Sequence, residues 1–465
     1  MADPLGVSVA FDDAWNVADP AWARIDTLTG CRVRDWTIDR GRPSEFEKTG
    51  TGTAVVHIVD TQGLFDPTNT SSPYNGKIVP SKQAAIALQN PAGSHAWFTL
   101  FRGFVEAWNY RLGPTEQWME LELQLVDGFA VLSRIELRVG VDGLLPVPAE
   151  LAKDTIVYGE TAGTLSDRIM AILGDANWPT GLSTVAVDVF SGNVRVGPKG
   201  YGVGTSSLDA LFDAVDAEIP GVANLYMSKD GHVTFHGRQA RFRPDVAQYG
   251  IKRWTLGDPS AWTTTADPTN VVVPIAELEW SNGNDSIYNA SSATPERVGT
   301  GSASRPLDPN LDNVAGQFVI DAPSIDAYGR RSITFDNLQT VRGIASGNDA
   351  LAETKLFASY YVQNYKTPVP RLSRLVVKSR SPSDPHADAL WGFICQCEIS
   401  SLLTVKTQHP GGGGFNTDFY VEGLHYSCSP GAAGPPDVPI IELSLDVSSR
   451  AHYTTNPFAS DPDPA

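Results

Sequence analysis

The residues of this sequence best suited to chemistry are its cysteines, histidines and paired carboxylates. Cys395 and Cys397 stand one residue apart, and His425 and Cys428 follow in a later strand-like run. Such a Cys/His set is what a tetrahedral zinc site takes. On an extended strand, however, positions 425 and 428 point to opposite faces, so convergence on one ion needs a local distortion. Buried structural thiols are the simpler reading, and four cysteines, with Cys31 the fourth, are too few for a disulfide framework. His232 and His236 share a face of one strand without a third donor close by in sequence.

Carboxylate pairs such as Asp12 with Asp13 or Glu120 with Glu122 have the residue types of a glycosidase dyad. In a chain with 53 acidic residues any such choice is arbitrary, and solvated acids are the plain reading. The glycine-rich run GPKGYGVGTSS at 197–207 precedes a helix and could aim amides at an anion, but its spacing is not G-x-G-x-x-G and it reads as a strand-to-helix loop. The nucleophile elbow, H-E-x-x-H, P-loop and EF-hand patterns are absent. The sequence therefore assigns no catalytic, cofactor-binding or metal-binding residue, and the chain reads as a non-enzyme. Trp15, Trp22, Trp36, Trp97, Trp108 and Trp118 lie in or beside apolar strands, where packing is the commoner use and sugar stacking the other.

The frame around these residues is rich in strands and turns. The chain has 465 residues, 42% hydrophobic and 19% charged, with 42 glycines and 33 prolines, enough for about three or four domains. Its net charge of −18 opposes attraction to nucleic acid or anionic lipid, so no specific nucleic-acid binding is expected. No apolar run approaches the length of a membrane span. The opening MADPLGVSVAFDDAWNVADP carries acids where a secretory signal needs positive charge, which points to synthesis in a cytoplasm.

Period-two patterns predict strands in CRVRDWTIDRGR, GTAVVHIVD, SKQAAIALQN, WFTLFRGFVEAWNYRL and WMELELQLVDG. Thr164 and Ser206 precede helical stripes as caps, the latter with Asp209 as a capping-box partner. NLYMSKDGHVTFHGR predicts a hairpin turning at Asp230-Gly231 in the type I′ manner. A helix is expected over 348–365, then strands in RLSRLVVKS, WGFICQCEIS, SLLTVKTQ, DFYVEGLHYSC and PIIELSLDVSS. The segment GTGSASRPLDPN reads as an exposed loop, and GGGG and PGAAGPPDVP as connectors.

The first and last strand series overlay by spacing: Val56 on Val377, Ile86 on Leu403, Gly103 on Gly423 and Met119 on Ile441, with MELELQL matching IELSLDV. This predicts two copies of one β-barrel-like unit, the alternative being two unrelated antiparallel meanders that share period two. The fold class expected is mainly β with an α+β insertion. Its divisions are 1–140 for the first β-barrel-like unit, 141–270 for an α/β insertion, 271–346 for a strand-and-loop connecting segment, 347–452 for a helix plus the second unit, and 453–465 for a disordered tail.

The series Asp39–Arg42 (D-R-G-R), Gly52–Ala54 (G-T-A), Gly63–Pro67 (G-L-F-D-P), Ser72–Tyr74 (S-P-Y) and Phe101–Gly103 resembles the opening domain of tail-tip or baseplate hub proteins, a class of minor tail protein, of tailed bacteriophages. SSLDALFDAVDAEIPGVANLYMSKDGHVTFHGR, DAPSIDAYGRRS and DFYVEGLHYS resemble later elements of the same family. The resemblance spans roughly residues 30–450 and stops short of the lytic or receptor-binding extensions that some hub proteins carry. It implies a virion protein made in the host cytoplasm and placed at the tail tip, with two related tube domains. It implies a homotrimeric hub that adapts a six-fold tail tube to a three-fold tip and lines the passage for DNA. Its partners would be the distal tail or tail tube ring, the central tip or spike, and the tape-measure protein. A carbohydrate- or receptor-binding tail module is the alternative, with a cell-wall hydrolase behind it.

Overall fold

The computed structural model describes residues 5–92, 95–112, 119–137, 155–158, 163–179, 187–190, 195–196, 199–202, 204–219, 221–245, 247–258, 272–281, 283, 287–295, 317–338, 347–408, 414–429 and 440–457. The predicted loop 299–310, the connectors at 411–413 and 430–439, the tail beyond 457 and Trp118 lie outside the described residues.

Strands dominate. In the first unit they are β1 (Leu5–Val9), β2 (Cys31–Gly41), β3 (Thr53–Asp60), β4 (Gln83–Gln89), β5 (Trp97–Leu112) and β6 (Met119–Val126). The period-two pattern does what it predicts on β6: Met119, Leu121, Leu123 and Leu125 are buried on one side, while Glu122 and Gln124 stay half-exposed on the other. Helices α1 (Gly128–Arg134), α2 (Leu165–Asp175) and α3 (Ser207–Val215) follow, then the hairpin β7 (Asn224–Met227) and β8 (Val233–His236). Thr164 and Asp167 form a reciprocal capping box on α2, and Ser206 caps α3 by accepting from the Asp209 N–H. Leu165, Ile169, Ile172, Leu211, Val215 and Phe235 close this α/β part around its own apolar cluster.

Beyond it come β9 (Glu277–Ser281), α4 (Gly347–Tyr365), β10 (Arg371–Lys378), α5 (Ala387–Gln396), β11 (Leu402–Gln408), β12 (Gly414–Ser429) and β13 (Ile440–Ser449). A small sheet, Ala290–Pro295 between Gln317–Ile320 and Ser332–Leu338, packs with α4 around Phe357, Tyr361 and Tyr365. Among the described residues no helix is long and apolar enough to cross a membrane.

Two local expectations are corrected. WGFICQCEIS is not a strand: residues 387–396 form α5, burying Ala387, Leu390, Trp391 and Ile394 at helical spacing. A short apolar run fits a buried helix as well as a strand, and only the pattern upstream of Trp391 separates them. The hairpin turn is not type I′ either. The Gly231 N–H bonds the Ser228 carbonyl at 2.9 Å, and Gly231 alone in the turn has positive φ, at +82°. That is a type I turn closed by a left-handed glycine; type I′ would need positive φ at Asp230 as well.

The internal repeat is structural. The first unit pairs its strands in the order β3-β6-β5-β4 and the second in the order β10-β13-β12-β11, antiparallel throughout. Both middle strands bulge at a glutamate. Glu106 is extra between Val105, opposite Leu125, and Ala107, opposite Gln124. Glu422 is extra between Val421, opposite Val447, and Gly423, opposite Asp446. Each preceding valine carbonyl accepts from a serine in left-handed conformation, Ser81 (φ +64°) at 2.7 Å and Ser400 (φ +68°) at 2.8 Å. Shared period two cannot produce a matched bulge and a matched left-handed serine. The overlay of Met119 on Ile441 stands. The other three shift: Ala107 matches Gly423, Ile58 matches Val377 and Ala84 matches Leu403. The slips of two keep each side chain on its own face, and the slip of four crosses the bulge at Glu106, whose extra residue only the pairing reveals, so spacing alone exposes none of them.

The units are joined through β12. Its first half pairs with β11 as far as Tyr420, and from Gly423 to Cys428 the same edge pairs with β2 of the first unit. Among the described residues, one sheet of fourteen strands thus runs through both units.

Candidate functional site

The seam between β2 and β12 gathers the polar chemistry of the core. The Asp39–Arg42 and Val421–His425 segments, which lie far apart in sequence, meet here, with Gly41 opposite Gly423 and Asp39 opposite His425. Gly41 has φ +101°, and the Arg42 N–H that follows donates to the Glu422 carbonyl at 2.9 Å. A Cβ on Gly41 would lie 2.2 Å from that carbonyl oxygen, so only glycine lets the two backbones approach.

The bulge aims the Glu422 side chain into the interior, where it is fully buried. Arg42 Nε donates to it at 2.8 Å and Arg241 Nη2 at 3.0 Å, while Arg241 Nη1 and the Ser448 hydroxyl donate to its other oxygen. Arg241 comes from the short helix Arg238–Phe242, with its guanidinium over the Tyr420 ring at 4.7 Å and its carbonyl accepting from the Tyr420 hydroxyl at 2.7 Å. Burial pushes the Glu422 carboxyl up, but Arg241 and then Arg42 outweigh it and hold the group at about 2. In the first unit the matching Glu106 lies at the surface and accepts from Arg134 at 2.7 Å. One bulge thus serves a buried cluster in one copy and a surface ion pair in the other.

Arg40, also buried, donates to the Met227 carbonyl at 2.8 Å and to Glu398 at 2.7 Å, and Glu398 accepts the Lys229 N–H at 2.9 Å. This ties the β7–β8 hairpin to both units. At the rim, His425 sits between Asp39 at 2.9 Å and Asp446 at 2.7 Å. Those hydrogen bonds, Asp39 first and then Asp446, lift its pKa to about 9. A raised histidine pKa adds stability in full below its ordinary value of about 6.5, and loses it as pH rises through the folded value. His425 is 41% exposed, so solvent screening limits the contribution to about 1 kcal/mol. His425→Gln should therefore lower the urea midpoint at pH 6 and converge with the parent above pH 9, and equal gaps at both pH values would refute the clasp.

The residues singled out from sequence are dispersed. Cys395 and Cys397 are buried at the end of α5, burial pushing the Cys395 thiol up to about 12, whereas the His425 ring is taken by its two aspartates. Among the described residues no group of three or more His, Cys, Asp or Glu side chains is arranged to hold a metal ion. His232 and His236 are both buried on or beside β8, not on a polar face. Asp12 pairs with Lys77 at 2.6 Å and Asp13 accepts the Ala21 N–H at 2.6 Å. Glu120 accepts from Arg34, and Glu122 from Gln124 and Asn109, with His57 at 3.4 Å. In the glycine-rich run, residues 199–202 form a strand, and Asp209 already holds the α3 N-terminus through Ser206. Trp36 is buried, Trp15 and Trp108 pack against the cores, and the exposed Trp22 and Trp97 each carry an arginine over the ring, Arg102 at 5.3 Å and Arg24 at 4.5 Å. Reasoning from sequence missed the buried cluster of Arg42, Arg241 and Glu422, whose signal was a glutamate set within the apolar run FYVEGL.

No protein-family model and no curated protein matches the chain. Solved structures do. The tail protein from Neisseria meningitidis MC58 superposes over 97% of this chain and 98% of its own, at a TM-score of 0.51 and 13% identity. The prophage MuSo2 43 kDa tail protein from Shewanella oneidensis superposes over 97% and 99%, at 0.50 and 9% identity. This chain has the phage tail-protein fold. The likeness covers both strand units and the segments between them, and at these identities it is a likeness of architecture rather than of side chains. Within the tail-protein fold, the β2–β12 seam is where this chain's own residues concentrate buried charge.

Proposed function

We propose that the chain is a structural component of a phage tail: the hub of a tail tip or baseplate, acting as a homotrimer that adapts a six-fold tube to a three-fold tip. The observation that carries this reading is the repeat. One chain presents two units of the same strand order and the same bulge, joined edge to edge, so three chains would present six similar units while keeping closed symmetry. Residues 1–140 and 347–452 act as the tube domains, with 141–270 and 271–346 as insertion and connection. The six-fold face would meet the distal tail or tube ring, and the three-fold face the central tip or spike and the tape-measure protein. The net charge of −18 suits a lumen that lets DNA pass without holding it. Native mass spectrometry at tens of micromolar should find a trimer at three times 50.0 kDa. A strict monomer would remove the self-assembling hub.

A further inference from the structure

The two units differ at one place where the repeat requires them to match. Beyond its bulge, β12 carries β13 on one edge and β2 on the other. The corresponding half of β5, Ala107–Leu112, carries β6 on one edge, but β4 ends opposite Phe104 and no described strand covers the other edge. The counterpart of β2 is β9, since β2 pairs with β3 as β9 pairs with β10, and no described strand covers the outer edge of β9. Each chain therefore contains one filled join, one open edge and one strand of the kind that fills such an edge. They do not pair within one chain. The pairing order β9-β10-β13-β12-β2-β3-β6-β5 puts β9 and β5 at opposite ends of an eight-strand ribbon, about 34 Å apart measured along the sheet at ~4.8 Å per strand spacing.

We propose that β9 of one copy of this chain completes β5 of the next, repeating the β2–β12 seam between molecules. The proposal rests on the trimeric reading above and adds its interface and register. In the seam, Ile38 faces Tyr426, Thr37 faces Ser427 and Trp36 faces Cys428. Carried through the matched pairings, Trp280 faces Tyr110, Glu279 faces Arg111 and Leu278 faces Leu112. The chemistry agrees with that register. Tyr110, Leu112 and Trp280 are among the most exposed large apolar side chains of the protein, at 38%, 69% and 48%. Tyr110 and Leu112 stand opposite Leu121 and Met119, on the side of the sheet that is buried elsewhere. Arg111 and Glu279 supply opposite charges on the other side. The contact is head-to-tail, so closure at three copies, rather than an open filament, is what the trimer imposes.

Cysteines at directly opposed strand positions lie within disulfide reach. The full-length double variant Arg111→Cys/Glu279→Cys, oxidised and run without reductant, should give a ladder that ends at three copies, while Arg111→Cys/Ser281→Cys, two residues out of register on the same face, should not. Arg111→Glu alone should weaken self-association about tenfold or more, and Arg111→Glu/Glu279→Arg should recover most of it. A native trimer that neither cross-links in this register nor responds to charge reversal would overturn the proposed pairing and leave the hub reading standing. A chain that stays monomeric at hundreds of micromolar would overturn both.

Discussion

Glu422→Ala should destabilise the join between the units by about 3–5 kcal/mol, because it strands two buried guanidiniums. Glu422 is fully buried and accepts from Arg42, Arg241 and Ser448. Removing the acid leaves Arg42 and Arg241 side by side with no counter-charge and little access to water. Glu422→Gln keeps the volume but not the charge, and should cost nearly as much. The acid limb supplies a second check. The folded carboxyl is depressed to about 2, so its contribution is present above the ordinary carboxylate range and is lost as pH falls from about 4.5 through the folded value. The gap in urea midpoint between parent and Glu422→Gln should therefore be widest near neutrality and close toward pH 2. Hydrogen exchange over residues 36–41 and 421–428 localises the effect, and a loss under 1 kcal/mol would mean the cluster adds little beyond its packing.

Gly41→Ala is the second large expected effect, about 2–5 kcal/mol. A left-handed conformation on an L-residue costs ~1–2 kcal/mol and forced overpacking ~1–3 kcal/mol. Here the new Cβ would meet the Glu422 carbonyl oxygen at 2.2 Å and Gly423 Cα at 2.7 Å, both backbone atoms with no rotamer to turn away. Relief requires β2 to draw back from β12, which breaks the Arg42 N–H bond to Glu422 and hydrates its side-chain cluster. The two substitutions should therefore be less than additive, since an open seam already lets water reach the arginines. Full additivity in a denaturant double-mutant cycle would show that strand contact and ion cluster are independent.

Much of this architecture is legible in the sequence because strands half-buried in a sheet must alternate. Met119 to Val126 and Ile440 to Ser449 declare their inner faces through leucines two apart, and Thr164 and Ser206 declare helix starts through an acid three residues on. Where the reading failed, the cause was local ambiguity or a missing third dimension. Trp391 and Ile394 suit strand and helix alike until Ala387 and Leu390 are counted with them. The repeat was visible, but its register was not, because Gly103 and Gly423 are equally plausible landmarks and only the bulged glutamates fix the match. The seam was invisible as a site: Arg42, Arg241 and Glu422 belong to three separate segments, and nothing in a one-dimensional pattern says that a glutamate at a bulge turns inward.

The long-range pairing of β2 with β12 also sets a timetable for synthesis. Arg42 and Glu422 are 380 residues apart, so at roughly 5–20 residues per second β2 emerges some 20–75 s before its partner strand exists. Through that interval one edge of β2 is bare, the situation in which nascent chains on neighbouring ribosomes stick to one another. The strand carries its own protection: Arg32, Arg34, Asp35, Asp39 and Arg40 place five charges in eleven residues. Four of them end in ion pairs: Arg34 and Asp35 within the first unit, and Asp39 and Arg40 with His425 and Glu398 across the join. Asp39 and Arg40, which guard the nascent edge against strangers, later fasten it to the second unit, Asp39 to β12 itself.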